Sequence, residues 1–95
     1  MNVERKVIDM KTNFQMLKEL LEAYHPQERG IATAYEVKLI KEKLHIEEMD
    51  VLQLHNLRDF IVLFLSNKDT MEAWDQMSAI SSVIDRDIRS KSGLV

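Results

Sequence analysis

Apolar residues recur along this chain in steps of three and four, the spacing that places them on one side of an α-helix. The clearest series is Val3, Val7, Met10, Phe14, Leu17, Leu21 and Tyr24, a heptad seam held for three repeats and widened by Ile8, Met16 and Leu20. Glu4, Arg5, Asp9, Lys11, Lys18, Glu19 and Glu22 fall on other faces. The pattern predicts a first helix over about 3–24. It ends at His25-Pro26, because a residue before proline is pushed out of the α region.

A second helix is predicted over about 33–44. Thr33 followed by Glu36 has the form of a capping box, and Tyr35 or Ala34, Val37, Ile40 and Leu44 make its apolar stripe. A third helix, about 47–65, opens on Glu47, Glu48 and Asp50, whose charges suit a helix N-terminus. A fourth, about 70–89, opens on Asp69-Thr-Met-Glu72 and carries Ala73, Met77, Ile80, Ile84 and Ile88 on one side. Residues 90–95 are small and polar and are expected to form a flexible tail.

The pattern breaks down in the third helix. Phe60-Ile-Val-Leu-Phe-Leu65 has no polar side, and a helix apolar all round must be buried all round. Three readings fit the run. The third helix is the central element wrapped by the others; or its outer face packs on a second copy; or the run is a short buried strand, for which the chain offers no partner strand.

With 95 residues the chain is expected to be one domain. Two glycines and one proline are too few for the many tight turns of a β-rich fold. The expected architecture is therefore all-α: an antiparallel four-helix bundle with a short second helix and a very apolar third. The charged start, Met1 to Asp9, lacks the apolar core of a signal peptide, and no run approaches the roughly 20 residues that span a bilayer. With no cysteine, a cytoplasmic location is expected, and thiolate metal sites and disulfides are excluded.

Candidate chemistry is sparse. His25, His45 and His55 form no zinc-binding pair, and Gly30 and Gly93 cannot build a phosphate-binding loop. His55 and Asp59 are one turn apart, but Ser78, Ser81 and Ser82 sit in a helical pattern with no nucleophile motif. No catalytic residue, cofactor, metal or small-molecule substrate is expected, and the chain is not expected to be an enzyme. The net charge of −3 makes nucleic acid an unlikely partner.

The expectation that remains is a protein-interaction or regulatory role through apolar helix faces, as a homodimer or with another protein. Its contact residues are expected among Phe60, Val62, Leu63 and Phe64, with Met71 and Trp74 beside them, since exposed Trp is a frequent interface anchor. Acidic groups on the third and fourth helices would steer a basic partner. The alternative is a weak DNA-binding regulator, because residues 33–60 have the outline of a helix-turn-helix. Its recognition position holds Glu47, Glu48 and Asp50, which phosphate repels, although Lys38, Lys41 and Lys43 could contact a backbone.

Overall fold

The computed structural model describes residues 12–26 and 32–93. Those residues are all helical in their regular structure: α1 (Asn13–Ala23), α2 (Ala34–Leu44), a short 3-10 turn (Ile46–Glu48), α3 (Val51–Ser66) and α4 (Met71–Lys91). None of these helices is long and apolar enough to cross a membrane.

Three helices begin at reciprocal capping boxes. In α1 the Thr12 hydroxyl accepts from the Gln15 backbone N–H at 3.1 Å, and the Gln15 side chain accepts from the Thr12 N–H at 2.9 Å. Thr33 with Glu36 does the same for α2, as the sequence predicts. Asp50 with Gln53 does it for α3, at 2.8 and 2.9 Å. Thr70 opens α4 by accepting from the Ala73 N–H.

The structure corrects three boundaries, two of them at these caps. The first helix does not run unbroken from 3 to 24: Thr12 is extended, with ψ 162°, and helical geometry starts at Asn13. Val3, Val7 and Met10 lie outside the described residues, and Phe14 leaves the core-facing seam. The third helix starts at Val51 rather than Glu47. His45 turns left-handed (φ 54°) after α2, the 3-10 turn buries Ile46, and Asp50 then caps a new helix. The fourth continues through Ser90 and Lys91, two residues assigned to the tail. Lys91 holds them in place, because its ammonium donates to the carbonyls of Ile46 at 2.8 Å, Glu47 at 3.3 Å and Met49.

The helices associate as two pairs, α1 with α2 and α3 with α4, joined by smaller contacts of α2 with α4 and α1 with α3. This is consistent with a bundle. Leu17, Leu20 and Tyr24 of α1, Ile40 and Leu44 of α2, Leu54, Leu57, Ile61 and Leu65 of α3, and Ile80 and Ile84 of α4 form a continuous buried core. Each such aliphatic side chain contributes about 1.5–3 kcal/mol by leaving water. Arg58 of α3 pairs with Asp85 of α4 at 2.7 Å, and Lys41 of α2 with Asp87 of α4 at 3.4 Å, so charge as well as apolar area fixes how the helices meet.

Candidate functional site

Successive positions of the run Phe60 to Leu65 meet different surroundings. Ile61 and Leu65 are fully buried, Phe60, Val62 and Phe64 are half-buried, and Leu63 is 64% exposed. The run is a helix, not a strand. Nor is it wrapped on every side by the described residues. With 100° between neighbours, a helix has one side toward α4 and the core, and Leu63 falls on the opposite one.

On the side toward α1 the run meets a residue that sequence reasoning placed in a core seam. Phe14 is 49% exposed, and its ring meets Phe64 edge-on, centroids 5.8 Å apart at 63°. Phe60 stacks on Phe64 at the same separation. Both geometries suit aromatic quadrupoles. The Lys68 ammonium lies 5.2 Å above the Phe64 ring, a cation–π contact at the edge of the cluster. Phe14, Leu17, Leu21 and Phe64 line an open groove of about 310 Å³ between α1 and α3, edged by Lys18, Glu22 and Lys68. Helical spacing held the signal for it: within α1 Phe14 lies about 120° from Leu20 and about 160° from Met16, off the face that these two bury.

The other expected contact residues do not join this cluster. Val62 lies among half-buried positions, and Met71 and Trp74 are exposed on the first turn of α4. Trp74 donates its indole N–H to Asp69 at 3.4 Å and makes no ring contact among the described residues.

The titratable groups are dispersed. His25 lies 3.4 Å from Glu72 and His45 3.6 Å from Glu48, both pairs open to solvent. Asp59 is near Arg58 rather than paired with His55. Ser81 donates to the Ser78 carbonyl, so the serines serve their own helix. Among the described residues, no group of three or more His, Asp or Glu comes together to hold a metal. One buried ionisable group has a perturbed environment. Tyr24 has its pKa pushed up to about 12, first by desolvation and then by the negative charges of Glu36 and Asp75.

A broad depression of about 560 Å³ on α2 and the 3-10 turn mixes Lys38, Lys41 and His45 with Glu42, Glu47 and Glu48. Its alternating signs give neither a phosphate-binding stripe nor a converging acid–base pair. In the segment with the helix-turn-helix outline, Glu47 and Glu48 are exposed, and Asp50 is occupied with capping α3.

No protein-family model, no curated protein and no solved structure matches this chain.

Proposed function

We propose that this chain is a non-catalytic protein-interaction module that acts through the aromatic face at the α1–α3 seam, binding a second copy or a larger protein it regulates. One observation carries the reading: Phe14 stands half in water over a groove floored by Leu17, Leu21 and Phe64, with Phe60 stacked behind. A large ring in that position does little for folding. The same ring, fully desolvated by a partner, becomes the kind of anchor that dominates interface energetics. Leu63, exposed on the same helix, extends the apolar surface. Single exposed hydrophobics are ordinary, but a groove rimmed by charges is the form an interaction site takes. Without cysteine, the protein suits a reducing cytoplasm.

The test is site-specific photo-crosslinking in cells of the source organism. A photoreactive phenylalanine analogue at position 14 is expected to capture a defined protein, this chain included, whereas the same probe at Lys43 on α2 captures none. Equal capture from both positions, or none from position 14, sinks the reading.

A further inference from the structure

We propose that the backbone carbonyls of Ile46, Glu47 and Met49 form a ready-made site for a primary ammonium group. Lys91 is its tethered occupant, a latch that fastens the end of α4 to the 3-10 turn. A free primary ammonium ion binds the same carbonyls once the lysine is removed.

Three acceptors converge on one nitrogen. The Lys91 Nζ donates to the carbonyl of Ile46 at 2.8 Å, to that of Glu47 at 3.3 Å and to that of Met49. A primary ammonium has three N–H donors and no acceptor, so three carbonyls match it in number. They come from the C-terminal side of a helical turn, where C=O groups lack helical partners and carry partial negative charge. Glu47 and Glu48, exposed on the same turn, add to the negative potential there.

Contacts that do not involve Lys91 hold this stretch of backbone. Ile46 is fully buried and anchors the turn in the core. His45 enters the turn at φ 54°, the Glu48 N–H donates to the His45 carbonyl at 3.1 Å, and the Met49 N–H donates to the Ile46 carbonyl at 3.1 Å. Asp50, next in the chain, is fixed by its reciprocal bonds with Gln53. The carbonyls are therefore aimed without help from the lysine, and a cation that meets them has little ordering left to offset. The lysine's own end is the looser one, since it projects from the last turn of α4, next to exposed residues 92 and 93. Its tether gives it a high effective concentration, so dissolved amine does not displace it from the wild type.

The experiment is amide hydrogen exchange by NMR on the full chain, wild type and Lys91→Ala. Each is measured in methylammonium, tetramethylammonium and potassium chloride at one pH and ionic strength. In Lys91→Ala the Glu48 and Met49 amides are expected to exchange about tenfold faster or more. Methylammonium reverses most of that gain; tetramethylammonium, which has no N–H, and potassium do not. The Ser92 amide, bonded to the Ile88 carbonyl at 2.9 Å, stays fast in all three salts, because a free ion carries no tether. Wild type is the same in all three. If Lys91→Ala fails to fold, folding restored by methylammonium alone reads the same way, and folding restored by none of the three overturns the site. A variant that loosens but ignores methylammonium shows that the lysine itself moulds the carbonyls, and the ready-made site is overturned. An equal response to all three cations is a salt effect and overturns it too. Exchange unchanged in Lys91→Ala, or Ser92 restored together with the turn, overturns the latch.

Discussion

Tyr24 closes α1 with its ring sealed in the core at 1% exposure, yet among the described residues its hydroxyl finds no hydrogen-bond partner. Burial and the nearby carboxylates of Glu36 and Asp75 both oppose a phenolate there. In the unfolded chain the group ionises near pH 10, and in the folded chain only near 12. The folded state thus binds the proton more tightly: stability is fully present below pH 10 and is lost as the pH rises from 10 to 12. An offset of this size caps the loss at a few kcal/mol, on the order of 3. Tyr24→Phe is expected to remove most of this alkaline step in urea denaturation. At neutral pH it should leave stability unchanged or raise it by up to about 1 kcal/mol, because it deletes an unpartnered buried hydroxyl. A fall of several kcal/mol at pH 7 would mean that the hydroxyl has a partner. At the other end of the fold, the Lys91 ammonium draws the carbonyls of Ile46, Glu47 and Met49 around one charge. Lys91→Met keeps much of the stem and removes the donors. It is expected to cost about 1–3 kcal/mol and to speed amide exchange in residues 46–50, with α1 unaffected.

At the scale of elements, the helix starts carry the fold's punctuation. Asp50→Ala removes the acceptor for the Gln53 N–H and is expected to cost about 1 kcal/mol in chemical denaturation. Gln53→Ala, which leaves that bond and deletes only the return contact, should cost less. Equal losses would mean that the box acts as one unit rather than through its carboxylate. The same punctuation explains which elements could be read from the sequence. The four helices, the α2 start at Thr33 and the stripe Ala73, Ile80, Ile84 and Ile88 were all legible, because periodicity and a Thr-x-x-Glu box agreed. The starts of α1 and α3 were missed although each has the same box, with Gln in place of Glu. At Thr12 the apolar spacing carries straight through the cap, and Glu47 and Glu48 imitate a helix N-terminus although they belong to the 3-10 turn, while Asp50 beside them is the true cap. Lys91 was unreadable for another reason: its carbonyl acceptors lie more than forty positions away. The aromatic face was half legible. Phe60 and Phe64 were marked by the apolar run, whereas Phe14 was hidden in a seam that the Thr12 cap interrupts.

In the whole molecule, the apolar run has to serve folding and surface at once, and the two demands fall on alternate residues. Ile61 and Leu65 are sealed against the core shared by all four helices, and truncating either leaves a cavity that neighbours on α4 and α1 cannot readily fill. Ile61→Ala is expected to cost about 2–5 kcal/mol, a large share of the stability of a chain this size. Leu63 sits two residues further along and points to water. Leu63→Gln should change the stability read by urea denaturation by no more than about 0.5 kcal/mol in either direction when measured on dilute protein. On concentrated protein, a destabilisation by Leu63→Gln that vanishes on dilution would mark area covered by another copy, since a copy that binds only the folded state adds apparent stability that rises with the logarithm of concentration over its dissociation constant. Val62 discriminates between these regimes, being half-buried. Val62→Glu should destabilise even at the lowest concentration, because part of its side chain is already withdrawn from water by its own chain. Should Leu63→Gln and Ile61→Ala prove equally costly in dilute solution, the helix would be enclosed on both sides, and the division of the run into a core stripe and an outer stripe would be wrong.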